Sequence, residues 1–357
     1  MTSDPVFLRA RARRAAAVVR FARSGRAVRY IGWTGKDNLG DEAVLEAVRT
    51  YLQPHRLVAE LPPLRGPARL VPGPHRGTVL GGGTLIGEMF YLPYAELALA
   101  KSRPLVTFGT GVADPATIDE QSADRWKAVL QLAERVTVRG PASAAWLRAR
   151  GIESEVIGDP ICGYARRPDE RSTRSRGSRV VAVNVSAGEK PSAETATRLA
   201  ALYAELVQVL VGDGWGVEYI VVSPRDRPVT QEVRAATGTQ DARVIEVTDG
   251  TQVEGLTDEL ERMRAMVGSR LHACALATCV GLPVLAVAHH PKSLDWADSV
   301  GLRSLSPDVD QLGDRGIGAW LAELFDRGDL LAREAQERAL GWRAEQLDCA
   351  LSLSRMF

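Results

Sequence analysis

The sequence predicts an α/β protein in which two Rossmann-like domains with parallel sheets face a cleft and are followed by C-terminal helices. Two observations support this fold class. Short apolar runs alternate with helical segments over residues 26–160 and again from residue 180, and this alternation is typical of βαβ units. A polar segment with six arginines, residues 165–179, separates the two halves and is typical of an interdomain linker.

These patterns divide the chain into five predicted segments. They are a basic N-terminal helical extension (residues 1–24), a first domain (25–164), the linker (165–179), a second domain (180–312) and C-terminal helices (313–357). The last segment contains two helical runs, Ile317–Ala339 and Trp342–Leu353, with Gly341 between them. We therefore predict two separate helices at the end of the chain.

The composition excludes several classes of protein. A net charge of +1 over 357 residues gives no general affinity for nucleic acid. The chain has no run of 18 apolar residues and no secretory signal pattern, so we predict no membrane span and a cytoplasmic location. Its four cysteines form no CxxC pair, which fits a reducing compartment, and we expect Cys274 and Cys279 to be small buried apolar residues.

The basic N-terminus has two interpretations. Residues 1–29 contain eight arginines and one acidic residue, Asp4, and Val6–Ala22 has helical character. This segment is either a solvated helix at the domain edge or a peripheral contact with the anionic inner face of the plasma membrane. In the second case, deletion of residues 1–24 weakens binding to anionic liposomes in a salt-dependent way. Unaltered partitioning of the shortened chain would contradict it.

The segment from Arg264 to Lys292 predicts a strand, a buried helix and a second strand. Ala265–Gly268 is a short apolar run, and Ser269 is a suitable N-cap for the helix that follows. Leu271–Val280 consists almost entirely of small and apolar residues, which favours burial against a sheet. Pro283–Ala288 is extended and apolar.

Arg270 and His272 are the polar residues of this helix start. They follow a strand directly, at the edge where open α/β sheets bind their ligands. The free amides of a helix start favour an anion, a guanidinium matches phosphate or carboxylate, and an imidazole exchanges protons near neutral pH. His289, His290 and Lys292 follow the next strand, but they lack a third zinc ligand at suitable spacing. We therefore predict an anionic ligand, proton transfer and no metal.

Glycine-rich segments follow three strands of the first half. Gly32–Glu42 joins a strand to a helix, whereas Gly81–Thr84 and Gly109–Gly111 follow the next two strands. Exposed amides of such turns can line a ligand, although a capped helix and tight turns explain the same glycines. Arg139, after a further strand, is equally well explained as a site residue or as a surface ion-pair partner.

Together these motifs resemble the polysaccharide pyruvyl transferase family over residues 28–303. The similarity is carried by Asn38–Glu42, Gly81–Thr84, Thr137–Arg139, Gly158–Pro160, Gly268–Ala273, Gly281–Pro283 and Lys292. The chain departs from the family at His289–Pro291, where an aromatic residue and an acidic or polar one are usual.

The resemblance implies a glycosyltransferase-B-like fold and transfer of a pyruvyl group from phosphoenolpyruvate to two hydroxyls of a sugar. The product is a cyclic ketal in a cell-envelope polysaccharide or exopolysaccharide, or in a lipid-linked precursor. No cofactor and no obligatory metal are implied. The first domain would bind the acceptor and the second the donor.

Site roles follow from this resemblance. The expected catalytic residues are His272 as proton donor, Arg270, and Asp41 as base. The expected contacts to phosphoenolpyruvate are Arg270, Lys292, Arg139 and Ser269. The expected acceptor contacts or cleft-lining residues are Asn38, Gly40, Glu42, Gly82, Gly83, Thr84 and His289.

Two alternatives remain open from the sequence. A nucleotide-sugar-dependent glycosyltransferase of the same architecture needs an acidic residue to bind ribose hydroxyls, and Glu254 or Asp258 is available. A non-catalytic binding protein of the same fold would have retained Arg270, His272 and Lys292 without turnover.

Overall fold

The computed structural model of the chain describes residues 27–35, 37–60, 70, 75–101, 104–167, 169, 178–188, 193–288 and 290–357. The predicted basic extension and most of the predicted linker lie outside these ranges. The described residues form two compact units. The first contains residues between 27 and 37, between 41 and 160, and from Trp342 to Phe357; the second contains Asn38–Gly40 and Ile161–Gly341.

The first unit is built on two parallel sheets. Its strands are β1 (Ala27–Ile31), β2 (Arg56–Glu60), β3 (His75–Leu80), β4 (Gly83–Ile86), β5 (Leu105–Thr107), β6 (Thr110–Val112), β7 (Thr137–Val138) and β8 (Glu155–Val156). One sheet has the order β2-β1-β3-β5 and the other β4-β6-β7-β8. Every residue of β1 is buried, as expected for a parallel strand covered on both faces.

Four helices belong wholly or mainly to this unit. They are α1 (Leu39–Tyr51), α2 (Leu92–Lys101), α3 (Glu120–Gln131) and α4 (Pro141–Arg148). Asp41 and Glu42 lie in the first turn of α1 and Arg49 in its last turn, which complements the helix dipole at both ends. Trp126 of α3 is fully buried in the core of the unit.

The second unit has one parallel sheet in the order β11-β10-β9-β12-β13. Its strands are β9 (Val180–Asn184), β10 (Gly216–Val221), β11 (Val244–Glu246), β12 (Ala265–Gly268) and β13 (Val284–Ala286). Its helices are α5 (Ala193–Gly212), α6 (Arg227–Thr237), α7 (Val253–Leu260), α8 (Leu271–Cys279), α9 (Pro291–Val300), α10 (Val309–Arg315) and most of α11 (Ile317–Ser354). All residues of α8 except His272 are buried, so the predicted strand and buried helix at this place are confirmed.

The prediction of two separate helices is wrong, although Gly341 lies between the two predicted runs. α11 runs without interruption from Ile317 to Ser354. A single glycine inside a helix costs about 1 kcal/mol, which burial of the flanking turns outweighs. Gln346, within the part of α11 that belongs to the first unit, donates its side-chain amide to the carbonyls of Ile157 and Asp159, both at 2.9 Å.

The prediction of a solvated linker is wrong at its first two residues. Ala165 is buried, and Arg166 forms ion pairs with three carboxylates. These partners are Glu254, Asp258 and Glu261. The start of the linker is therefore anchored to the second unit, because the three acidic residues of the α7 region converge on one guanidinium.

The four cysteines, Cys162, Cys274, Cys279 and Cys349, are free thiols and buried, which confirms the expectation for Cys274 and Cys279. Burial raises the pKa of Cys274 to about 12 and that of Cys349 to about 11. Among the residues described, no helix has both the length and the apolar character that crossing a bilayer requires.

These shifts predict inert thiols. Iodoacetamide should not label Cys274 or Cys349 of the folded chain between pH 7 and 9, because the thiolate is scarcely populated. In the unfolded chain these thiols have a pKa of about 8.5, whereas the buried thiols keep their protons above that pH. The free energy of unfolding should therefore keep the full contribution of the two thiols below about pH 8.5 and decline above it. Mass spectrometry of iodoacetamide-treated native and urea-unfolded chains measures the labelling of these cysteines in each state. Fast labelling of either residue in the native chain at pH 8 would contradict the prediction.

Candidate functional site

The strand order of the second unit places a crevice beyond the carboxyl ends of β9 and β12. From β9 the chain adds β10 and β11 on one side and then β12 and β13 on the other. Ligands of open α/β sheets bind where the order reverses in this way. Here that point is occupied by the end of β9 and the residues that follow it, Asn184–Ser186, and by the residues after β12, Ser269–His272.

Ser269 supports the backbone at this point and does not cap the helix. The N-cap of α8 is Arg270, without a side-chain hydrogen bond, so the predicted N-cap is wrong. The Ser269 Oγ instead accepts a hydrogen bond from the Ser186 amide at 2.7 Å and donates to the Ser186 carbonyl at 3.1 Å. Because Ser269 is buried and its hydroxyl is engaged, it fits a support for the loop better than a contact to phosphate.

Asn184 joins three parts of the sheet edge. Its side-chain oxygen accepts a hydrogen bond from the Arg270 amide at 3.0 Å, and its side-chain nitrogen donates to the Ile220 carbonyl at 2.8 Å. One amide of the helix start is therefore already used by the protein. A ligand here would meet the amides of the following residues and the side chains of the first turn.

The Arg270 guanidinium is held by a carboxylate that sequence reasoning missed. Its Nε lies 3.1 Å from both carboxylate oxygens of Asp226, and its Nη2 lies 2.8 Å from Asp226 Oδ1. Asp226 is 1% exposed and the Arg270 side chain 11%. This bidentate ion pair fixes the plane of the guanidinium at the carboxyl-end edge of the sheet. Asp226 follows β10 in the segment Ser223–Asp226.

His272 packs on a glycine that belongs to the same unit. A Cβ added to Gly40 would lie 2.0 Å from His272 Nδ1. The neighbouring Leu39 donates its amide to the Val222 carbonyl at 2.9 Å, which joins Asn38–Gly40 to the end of β10. The structure therefore brings the predicted residues Asn38 and Gly40 to the same sheet edge as His272.

Lys292 lies in the first turn of α9, after β13. The His290 Nδ1 accepts a hydrogen bond from the Lys292 amide at 3.3 Å and caps this helix. Gly268 pairs with Ala286 in the sheet, so the loop to α9 leaves the same edge as the loop to α8. His289 lies outside the described residues.

A second candidate position lies at the switch point of the first unit, between β1 and β3. Tyr30 of β1 is buried there, and a Cβ on Gly32 or Gly81 would come within 2.5 or 2.1 Å of its ring. Burial raises the pKa of Tyr30 far above its ordinary value, and the charges of Asp41, Glu42 and Asp159 raise it further. The phenol therefore stays protonated as a hydrogen-bond donor. The sequence signal was a tyrosine in β1 beside two glycine-rich strand ends.

The first-unit glycines are not the open turn that the sequence predicts. Gly83 and Thr84 belong to β4 and pair with Thr110 and Gly111, so their backbone takes part in a ladder. The Gly81 amide donates to the Ile31 carbonyl at 2.9 Å. The Gly81 amide is therefore already used by the protein, and Gly83 is a buried residue of a strand.

Two of the predicted acidic residues nevertheless lie beside this turn. A Cβ on Gly83 would lie 3.5 Å from Asp41 Oδ1, so the Asp41 carboxylate faces β4. The Glu42 carboxylate accepts a hydrogen bond from the Gly35 amide and closes the loop before α1. Gly82 is buried against Val44. Of the predicted acceptor residues on β4, Thr84 is the partly exposed one.

Arg139 is a buried residue of the first unit. It is 2% exposed; its Nη2 donates to Thr84 Oγ1 at 3.1 Å and its Nη1 lies 3.7 Å from Asp159 Oδ2. Gly111 leaves room for the guanidinium, since a Cβ there would lie 2.7 Å from Arg139 Cζ. This position fits a support for Thr84 better than the direct phosphate contact expected from the sequence.

Solved structures define the class of fold. The chain is similar to the S. aureus MnaA–UDP co-structure, with 12% identity over 87% of this chain and 91% of that one and a TM-score of 0.60. It is also similar to a putative UDP-N-acetylglucosamine 2-epimerase from Listeria monocytogenes, with 12% identity over 87% of this chain and 91% of that one and a TM-score of 0.56. Sucrose-phosphate synthase from Thermosynechococcus elongatus has 14% identity to this chain over 93% of this chain and 99% of that one, with a TM-score of 0.53. The α/β, glycosyltransferase-B-like fold class is thereby confirmed; at this identity the similarity concerns the fold alone.

The family follows from the sequence comparison. The polysaccharide pyruvyl transferase model matches residues 38–291. The chain therefore belongs to the polysaccharide pyruvyl transferase family, a family of transferases. The match includes Arg270 and His272 and ends one residue before Lys292. No match was found among the curated proteins.

Proposed function

We propose that this chain transfers the pyruvyl group of phosphoenolpyruvate to two hydroxyls of a sugar, as a cyclic ketal. The acceptor would be a saccharide or a lipid-linked saccharide in the synthesis of a cell-envelope polysaccharide or exopolysaccharide. Family membership supports the reaction class. The single observation that carries the proposal is the Arg270 guanidinium, fixed by Asp226 at the start of α8 and two residues before His272.

Phosphoenolpyruvate carries a phosphate and a carboxylate, and its binding needs a net positive charge. Asp226 offsets the charge of Arg270, so the pair alone supplies orientation rather than net charge. We assign the remaining positive potential to Lys292 and to the dipole of α8. Ser269 and Asn184 hold the backbone that presents these groups.

In the proposed reaction a proton is added to the methylene carbon of phosphoenolpyruvate, and the adjacent carbon becomes electrophilic. One sugar hydroxyl adds to that carbon and loses its proton, the carbon–oxygen bond to phosphate breaks, and the second hydroxyl closes the ketal as its own proton leaves. We assign proton donation, to carbon or to the departing phosphate, to His272. We assign the base that receives a hydroxyl proton to Asp41.

Phosphoenolpyruvate should raise the melting temperature of the chain. A ligand at 100 times its dissociation constant stabilises the native state by about 2.7 kcal/mol. We expect this shift with phosphoenolpyruvate, a panel of nucleotide sugars to give none, and His272→Gln to retain it while losing phosphate release. A shift with a nucleotide sugar and none with phosphoenolpyruvate would establish the glycosyltransferase alternative instead. A chain that binds phosphoenolpyruvate but releases no phosphate with any saccharide acceptor would support the non-catalytic alternative.

The structure removes one argument for a nucleotide-sugar donor. Glu254 and Asp258, the acidic residues available for ribose hydroxyls, lie 2.7 and 2.6 Å from Arg166 nitrogens. Their carboxylates are 72% and 60% exposed, and ribose hydroxyls would have to compete with the Arg166 guanidinium for them.

A further inference from the structure

The first unit carries an exposed group of apolar side chains, Trp33, Met89 and Phe90, which we call the aromatic patch. Met89 is 46% exposed and Phe90 36%, while Trp33 is partly buried. Among the large apolar residues that the described part of the chain exposes, Phe90 is the only aromatic one. Apolar side chains that are exposed next to one another are candidates for a ligand-binding surface.

Neighbouring side chains of the first unit hold the aromatic patch in place. The Trp33 and Phe90 ring centres are 6.1 Å apart in an edge-on arrangement, and Phe90 lies 5.2 Å from the ring of Tyr91, which is buried. The Met89 Sδ lies 2.7 Å from Ser122 Oγ, in contact with α3. Exposed side chains that are fixed before binding lose little entropy when a ligand settles on them.

The patch is connected to the candidate position of the first unit through the end of β1. Trp33 follows Gly32 at the end of β1, where Tyr30 lies. Met89 and Phe90 follow β4, which begins with Gly83 and Thr84. Met89 and Phe90 leave β4 at the end opposite to Gly83 and Thr84, and it is the Trp33–Phe90 contact that brings the patch to the loop after β1.

We propose that the aromatic patch is a stacking subsite for one pyranose ring of the acceptor saccharide. The proposal rests on the proposed function and specifies its acceptor side. The C–H face of a pyranose is apolar and matches an aromatic ring, while exposed Glu88 beside the patch can accept hydrogen bonds from sugar hydroxyls. Aromatic walls with a few polar groups are typical of small-molecule sites.

Other occupants fit the patch less well. Three side chains cover about the area of one sugar ring, whereas a specific protein interface buries on the order of 1,000 Å² or more. An anionic membrane surface attracts basic side chains and repels acidic ones, and the exposed residue that precedes Met89 in the sequence is the acidic Glu88. Size and charge therefore both favour a saccharide.

Saturation-transfer NMR on the full chain tests the subsite with the methyl pyranosides of glucose, galactose, mannose and N-acetylglucosamine. We expect transfer to the ring C–H protons of at least one of them. Phe90→Ala and Phe90→Leu should weaken its binding by about tenfold, which corresponds to ~1.4 kcal/mol. Leu132→Ala, at a residue of the same unit that is 50% exposed, should bind as the unchanged chain does. Phe90→Leu keeps an apolar side chain and separates loss of the ring from loss of packing.

Five outcomes decide the proposal, with phosphoenolpyruvate thermal shifts measured on the same samples. Ring-proton transfer lost in both Phe90 variants, with an unchanged phosphoenolpyruvate shift, supports the subsite. The same loss without any phosphoenolpyruvate shift supports the subsite and removes the proposed function. Phosphoenolpyruvate binding with no transfer to any pyranoside, or with equal transfer in Phe90→Ala, overturns the subsite. So does binding to anionic vesicles that depends on Phe90 in the absence of pyranoside transfer.

Discussion

The Arg270→Ala variant is expected to lose phosphate release from phosphoenolpyruvate by at least about 100- to 1,000-fold. The proposed reaction needs a fixed guanidinium where negative charge develops on the departing phosphate, and removal of one such donor has effects of this size. A second effect accompanies it. Asp226, 1% exposed, would keep a buried carboxylate without its partner, which destabilises a protein by ~3–5 kcal/mol.

These two effects are separated by measuring phosphate release and melting temperature on the same samples. Arg270→Lys keeps the charge but lacks the planar fork, so it should remain folded and still lose most turnover. Arg227→Ala is the matched control, because this arginine follows Asp226 directly but is 53% exposed and pairs with Glu246 at the surface. It should behave almost like the unchanged chain. Near-normal kinetics of folded Arg270→Ala would show that the site is assigned wrongly.

The Gly40→Ala variant should reduce kcat about 100-fold although it alters no reacting group. The added Cβ would lie 2.0 Å from His272 Nδ1, so the imidazole or the Asn38–Gly40 backbone must move by more than 1 Å. A displacement of this size in a reacting group costs on the order of 100-fold in rate. Affinity for phosphoenolpyruvate should change much less, because Arg270 and Lys292 are untouched.

Gly255→Ala in α7 is the control for this substitution. No atom lies within 4 Å of the added Cβ, so the variant should keep its activity and gain up to about 1 kcal/mol of stability from helix propensity. Steady-state phosphate release gives kcat and the KM for phosphoenolpyruvate, and thermal melting reports the fold. A folded Gly40→Ala variant with unchanged kcat would exclude His272 from the proton transfer.

The strand and helix around the site were predictable because their signal is local. Ala265–Gly268 is predicted and observed with the same limits, and the helix starts at Leu271, one residue later than the predicted Ser269 N-cap would place it. An apolar run followed by small buried residues needs no knowledge of the rest of the fold. The same locality explains the error at Ser269. Its hydroxyl accepts a hydrogen bond from the Ser186 amide, in the loop after β9, instead of capping its own helix.

The supports of the site were not predictable because they depend on strand order. Asp226 is separated from Arg270 by 44 residues, and only the order β10-β9-β12 brings their loops to one edge. Gly40 meets His272 from a still more distant part of the sequence. β4 escaped prediction for a related reason: glycines indicate a turn locally, and pairing with Thr110 turns this segment into a strand.

The discontinuity of the second unit affects how the chain can be dissected. A recombinant fragment cut at the unit limits, residues 161–341, would lack Asn38–Gly40. It would leave the Val222 carbonyl without the Leu39 amide and His272 without the glycine on which it rests. A chimera that joins this chain to another protein at residue 160 would combine the second unit with a foreign segment in place of Asn38–Gly40. An active chimera should therefore transfer Asn38–Gly40 together with the second unit.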